Sequence, residues 1–299
     1  PDPDRPQTLA FAGPCVRDSV TERPVVGYVN MDPLKLTDLT ERDYGRQLGV
    51  ATHELTHALG FTRSAYAYES DSRTDADPTW MFDRATNTTR LRGDVTERVP
   101  RRGGGEAVRL TMPELVDVAR AHYGCAGLSG VELEDDGGSG TALSHWEMRT
   151  LNTEFMNGLA PAYPYLTAFT LAYFEGTGWY YANYSVANVW GRLLWGYARG
   201  CDFVDPMSTC EAALPDDYGY RCSEVQEVRC THDRRWVGVC NAVSSANSLE
   251  VAEDCPFYGI STDGQCEFAS VSDVPFVSGG EFLADEAGQA FNARSRCLR

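Results

Sequence analysis

The sequence predicts an α+β fold, with helices and short strands mixed over residues 1–200 and a disulfide-rich, mostly β or irregular region over residues 201–299. Three observations predict it. Short apolar runs bounded by Pro, Gly or Asn, Thr8-Leu-Ala-Phe-Ala12 and Val25-Val-Gly-Tyr-Val-Asn30, read as strands. Apolar residues recurring at spacings of three and four read as helices over 44–59, 111–123 and 166–174. Eight of the ten cysteines fall between Cys201 and Cys297 without C-x-x-C spacing, which reads as a disulfide framework made in an oxidising compartment.

Composition narrows the function. The 299 residues are 42% apolar, ample for a core, and the net charge of −17 argues against nucleic acid or an anionic membrane as partner. No apolar run approaches the roughly 20 residues that span a bilayer, and neither end reads as a signal peptide or an anchor tail. Pro1 in place of Met reads as a processed or partial chain. Asn87-Thr-Thr and Asn183-Tyr-Ser are candidate glycosylation sequons, in keeping with secretion.

After the two strands comes the first helix, ending in Val50-Ala-Thr-His-Glu-Leu-Thr-His-Ala-Leu-Gly60. Tyr44, Leu48, Ala51, Leu55, Ala58 and Leu59 give it an expected apolar face, and Gly60 is placed to stop it in a left-handed turn. His53 and His57, four apart, lie one turn above each other on another face and can offer two imidazole nitrogens to one zinc ion. Glu54, beside them, is placed to take a proton from a water that zinc activates.

Between Phe61 and Leu110 the composition turns to Ser, Thr, Asp and Arg with a Gly103-Gly-Gly105 run, expected to be an irregular, mobile surface insertion holding one hairpin. Thr111-Met-Pro-Glu114 has the spacing of a capping box, opening a helix that Gly124 closes. His122 falls on the apolar stripe of that helix with Leu115, Val118 and Ala119, and is expected to pack on the core. A glycine-rich loop then delivers His145. A catalytic zinc commonly takes three protein ligands, so His145 is the expected third; His122, His232 and the carboxylate of Glu147 are the alternatives. The helix over 166–174 closes at Glu175-Gly-Thr-Gly178, and the aromatic run Trp179, Tyr180, Tyr181 and Tyr184 reads mainly as core.

Taken together, Pro24-Val-Val-Gly-Tyr-Val-Asn30, His53-Glu-Leu-Thr-His-Ala-Leu-Gly-Phe61, Ala121-His-Tyr-Gly-Cys125, Leu143-Ser-His-Trp-Glu147, Asn152-Thr-Glu-Phe-Met156 and Gly178-Trp-Tyr180 resemble the leishmanolysin (invadolysin) family of metzincin zinc metalloendopeptidases. The resemblance implies a metzincin-like catalytic domain over 1–200. In it, 1–60 ends an N-terminal subdomain with the zinc helix, 61–144 is a long insertion, and 145–200 carries the third ligand and the Met-turn. Residues 201–299 would be the cysteine-rich C-terminal domain. Most metzincins have a third histidine three residues after the glycine; here Arg63 stands there, so the resemblance assigns that ligand to His145. It makes Met156 the Met-turn methionine, pairs Cys125 with Cys201 and Cys222 with Cys240, and implies an upstream partner for Cys15. It further implies a preceding segment of the same precursor packed on the N-terminal subdomain, protein or peptide substrates, and a secreted or cell-surface location. The competing expectation is a noncatalytic structural or adhesive extracellular protein that keeps the fold.

Overall fold

The computed structural model describes residues 9–19, 21–34, 41–68, 82–83, 88–91, 95–135, 140–158, 165–187, 195–213, 220–222, 227–232, 236–240 and 255–265. Strands β1 (Ala10–Arg17) and β2 (Pro24–Met31) pair antiparallel, with a register break between Pro14 and Val16. A proline cannot donate to the ladder, so a bulge is where a strand can carry one, and β1 therefore continues past the expected Ala12. Helix α1 (Glu41–Leu59) packs on both strands. The fit depends on Gly27 of β2, where a Cβ would come within 2.8 Å of the Ala58 Cβ.

The burial of α1 corrects one expectation. Leu48, Leu55 and Leu59, read as its core-facing stripe, are each about half exposed, at 53%, 54% and 47%. Val50, Glu54, Thr56 and His57 are buried instead. The helix seats its small and functional residues on the protein, because those make the close approach to the strands and to the rest of the chain; periodicity alone marks both stripes.

After Gly60 come α2 (Arg63–Tyr66), β3 (Ala67–Tyr68), β4 (Phe82–Asp83) and β5 (Thr88–Leu91), the three strands forming a small sheet in the order β3-β5-β4. Strands β6 (Thr96–Pro100) and β7 (Glu106–Leu110) then make the expected hairpin, with Gly103, Gly104 and Gly105 at its tip. The end of this stretch is nonetheless core rather than irregular surface. Ala107, Val108 and Leu110 are buried, and β7 is the middle strand of a β6-β7-β8 sheet completed by β8 (Val131–Leu133).

Helix α3 (Pro113–Tyr123) has Met112 at its N-cap with no side-chain hydrogen bond, so the capping box expected at Thr111 does not form, while Gly124 closes the helix in the left-handed region at φ 72° as expected. Its buried stripe is Leu115, Val116, Ala119 and Tyr123; Val118 is half-buried against the core, and His122 packs edge-on to the core rings of Tyr123 and Phe169, as expected. Helices α4 (Met148–Leu151) and α5 (Ala168–Gly176) follow, capped by the side chains of Glu147 and Thr167. Helices α3 and α5 pack together, α3 also meets β8, and the main core gathers Leu110, Leu115, Tyr123, Trp146, Met156, Phe169 and Tyr173.

The aromatic run after α5 lies at the edge of that core, with Tyr184 packed against it. Tyr181 is fully exposed, and Trp179, Tyr180 and Tyr184 are only partly covered, because their polar tips reach the backbone of Thr21 and Leu59 and the carboxylate of Glu175.

Short helices α6 (Cys201–Val204) and α7 (Cys210–Ala213) place Phe203, Val204 and Ala213 in the same main core. Beyond them β9 (Val228–Cys230), β10 (Trp236–Cys240) and β11 (Tyr258–Gln265) form an antiparallel sheet in the order β11-β10-β9. Disulfides join Cys125 to Cys201 and Cys222 to Cys240, the two pairs implied by the family resemblance, and Cys210 to Cys255. Cys15 is free and exposed. Cys266, Cys297 and the sequon at Asn87 lie outside the described residues.

A buried ion network ties these layers together. Glu132 on β8 accepts from Arg109 of β7 at 3.0 Å and from Arg149 of α4 at 3.1 Å, and the two guanidiniums also donate to the carbonyls of Val204 and Phe203 in α6. Burying such charges costs several kcal/mol per ion unless each is paired and its hydrogens satisfied, and here the carboxylate and the helix-end carbonyls supply partners.

Candidate metal centre

Three imidazoles meet where α1 crosses the loops of the main core. The Nε2 atoms of His53 and His57 lie 3.0 Å apart, and each lies 3.2 Å from Nε2 of His145. Two nitrogens bound at 2.0–2.1 Å with a tetrahedral angle between them would stand about 3.3 Å apart, so the three atoms sit close to three corners of a zinc tetrahedron. Among the described residues these histidines form a group that can hold a metal ion.

Each ring is turned to that point by its other nitrogen. His53 Nδ1 donates to the Phe155 carbonyl at 2.6 Å, His57 Nδ1 to the Phe61 carbonyl at 2.6 Å, and His145 Nδ1 to the Thr141 carbonyl at 2.9 Å. A carbonyl only accepts, so Nδ1 must carry the proton and Nε2 keeps its lone pair for a cation. Burial lowers the pKa of all three, that of His57 to about 4 and that of His145 well below the ordinary value. Desolvation is the largest cause in each, so the rings are neutral, the form that ligates.

The carbonyls are held in turn. Gly60 takes a φ of 124°, open to glycine and strained for other residues, and lets the chain double back so that the Phe61 carbonyl faces His57. The Gly60 carbonyl accepts from the buried Tyr173 hydroxyl of α5 at 2.7 Å. The Trp146 N–H donates to the Met156 carbonyl at 2.9 Å, which joins the His145 loop to the segment that serves His53.

Glu54 follows His53 on α1 and is 6% exposed. Its Oε2 has no hydrogen-bond partner among the described residues, and desolvation raises its pKa to about 7. A buried carboxylate left in that condition gains and loses a proton near neutral pH. Met156 is fully buried.

The other candidate ligands are elsewhere. His122 donates through Nε2 to the Trp195 carbonyl at 2.8 Å, and His232 stacks on Tyr220 with ring centroids 5.5 Å apart. Glu147 accepts from the Arg149 N–H at the start of α4 and lies in a separate group with Glu134 and Asp135. The three carbonyl acceptors were not foreseeable, since any residue supplies a carbonyl.

A family model described as Leishmanolysin matches residues 2–279. The chain belongs to the leishmanolysin family. It is 34% identical over 278 residues to a leishmanolysin-like peptidase of Caenorhabditis elegans, an alignment covering 82% of this chain and 40% of that protein. It is 33% identical over 262 residues to a leishmanolysin-like peptidase of Drosophila pseudoobscura pseudoobscura, covering 79% of this chain and 37% of that one. With leishmanolysin of Leishmania major it shares 32% identity over 240 residues, covering 80% and 35%. The chain thus spans about two fifths of the length of the curated relatives it matches. The leishmanolysin family is one of metallopeptidases, and the three-histidine group fits that membership. Among the described residues no helix is long and apolar enough to cross a membrane.

Proposed function

We propose that this chain is the catalytic part of a secreted or cell-surface zinc metalloendopeptidase, with zinc held by His53, His57 and His145 and with Glu54 as general base. The observation that carries the reading is the triangle of Nε2 atoms at 3.0–3.2 Å, each ring oriented by a carbonyl at its Nδ1. Zinc bound there would act as a Lewis acid, polarising the scissile carbonyl and lowering the pKa of its water to roughly 7. Glu54 removes a proton from the attacking water as its oxygen bonds to the carbonyl carbon, then delivers that proton to the amine nitrogen as the C–N bond breaks. A pKa near 7 suits a group that must take and return a proton in each turnover. Met156, buried where its carbonyl receives the Trp146 N–H, is the methionine of a Met-turn in this reading.

The domain organisation we infer is metzincin-like. Residues 1–60 end the N-terminal subdomain, 61–144 are an insertion between the second and third ligands, 145–200 return the third ligand, and 201–299 form the cysteine-rich C-terminal domain. Exposed apolar residues of β1 and β2, among them Phe11, Val25, Val26 and Tyr28, together with Leu48, Leu55 and Leu59 of α1, support a further segment of the same precursor packing there. The three disulfides among the described residues support an oxidising, extracellular setting, and the exposed Asn183 supports its sequon as a sugar acceptor.

Chelator-sensitive cleavage of casein by the purified protein tests the activity. Zinc restoring cleavage after chelation is the expected result. Cleavage that persists in chelator would exclude the mechanism, and a zinc-loaded protein inert toward casein and gelatin would turn the reading toward the adhesive alternative.

A further inference from the structure

Glu154 is a buried carboxylate met by neutral donors. It is 1% exposed, and among the described residues no cation pairs with it. Its two oxygens are met by donors alone. Oε2 accepts the Met156 N–H at 2.7 Å, while Oε1 accepts the Thr170 hydroxyl at 2.7 Å, the Thr167 hydroxyl at 3.3 Å and, more weakly, the Thr167 N–H at 3.4 Å. An apolar residue would fill such a place without the desolvation cost, so what the carboxylate holds needs explaining.

It holds two things. The Met156 N–H and the Phe155 carbonyl belong to one planar peptide group and point to opposite sides of it. Glu154 fixes the N–H side and His53 Nδ1 donates to the carbonyl side at 2.6 Å, so one rigid plane stands between carboxylate and imidazole. Hydrogen bonds at the two ends of a peptide also strengthen each other, which makes the Phe155 carbonyl a better acceptor and His53 a stronger ligand. On the other side, the Thr170 hydroxyl that donates to Glu154 accepts from Trp146 Nε1 at 2.9 Å. Trp146 adjoins His145, and its N–H binds the Met156 carbonyl at 2.9 Å. The node therefore ties the orienting carbonyl of His53 to the backbone that carries His145.

We propose that Glu154 and Thr170 are positioning residues for the metal site, setting the imidazole of His53 through the Phe155–Met156 peptide plane and the place of His145 through Trp146. The inference rests on the reading that the three histidines hold zinc. Desolvation raises the Glu154 pKa to about 7, which fits a group kept for what it positions rather than for stability.

The test compares wild type with Glu154→Gln, Thr170→Val and Thr170→Ser, first by circular dichroism and thermal melting. Zinc affinity is then measured by competition with a chromogenic chelator, and kcat and KM at saturating zinc. Gln keeps the shape but sets amide hydrogens against donors, and Val keeps the shape but removes the hydroxyl. Both should weaken zinc binding by about 10- to 100-fold, the range typical of lost outer-sphere partners, and lower kcat with KM little changed. Serine restores the hydroxyl and should bring affinity back to within about threefold of wild type. If Glu154→Gln does not fold, the Val and Ser pair decides. Variants that melt lower yet bind zinc as wild type does would overturn the inference, leaving a structural node only. A wild-type chain that binds no zinc would overturn the functional reading beneath it.

Discussion

At the scale of single residues, His53 and His57 were legible because helical spacing puts them on one face, and His145 because a glycine-rich loop delivers it. Their orienting partners were not, since the carbonyls of Phe155, Phe61 and Thr141 carry no residue identity. Glu154 was equally silent: in sequence it is one acid among 43. Replacing Glu54 by Gln should leave zinc stoichiometry unchanged and cut kcat by about 10²- to 10⁴-fold, the worth of a positioned base. Full cleavage in that variant would remove the role assigned to it. A second outcome concerns stability and pH. Desolvation raises the folded pKa of Glu154 from the ordinary 4.5 to about 7, so proton binding favours the folded chain. The stabilisation is complete below pH 4.5 and is lost as pH rises through 7, by about 3 kcal/mol in all. Glu154→Gln lacks that titration. In metal-free protein, the stability of wild type relative to the Gln variant should fall between pH 4.5 and 8, as denaturant melts would record; a constant difference would contradict the shift.

At the scale of elements, periodicity gave the helices and misjudged their faces. The α1 stripe of Leu48, Leu55 and Leu59 is half exposed because burial depends on what the helix meets, and α1 meets glycine-bearing strands on one side and the segments carrying His145 and Phe155 on the other. Strand β7 hid in a polar stretch because its charge, Arg109, is buried in a pair that no local pattern announces. That network locks β7, β8, α4 and α6 together. Arg149→Met would leave the Glu132 Oε2 and the Phe203 carbonyl without their guanidinium hydrogens, and unfolding in urea should show a loss of about 3–5 kcal/mol. A loss under 1 kcal/mol would mean that the network is solvated rather than buried.

At the scale of the whole molecule, the α+β class and the cysteine framework were readable, and two disulfides followed from family resemblance. The Cys210–Cys255 bond was not, because connectivity does not follow from spacing. The Cys125–Cys201 bond closes the longest of the described loops, 76 residues that contain His145, Met156 and α5. Loop closure of that length is worth about 4.5 kcal/mol to the folded state, so replacing both cysteines with serine should lower stability by that order and loosen zinc at elevated temperature. Unchanged melting would show that the core alone holds the loop. The claim on which the rest stands is that one zinc sits among His53, His57 and His145, and anomalous scattering at the zinc edge from crystals of the native protein tests it most directly. A single peak about 2.0–2.1 Å from all three Nε2 atoms is expected. No peak there, with the three rings ordered and zinc supplied, would contradict it.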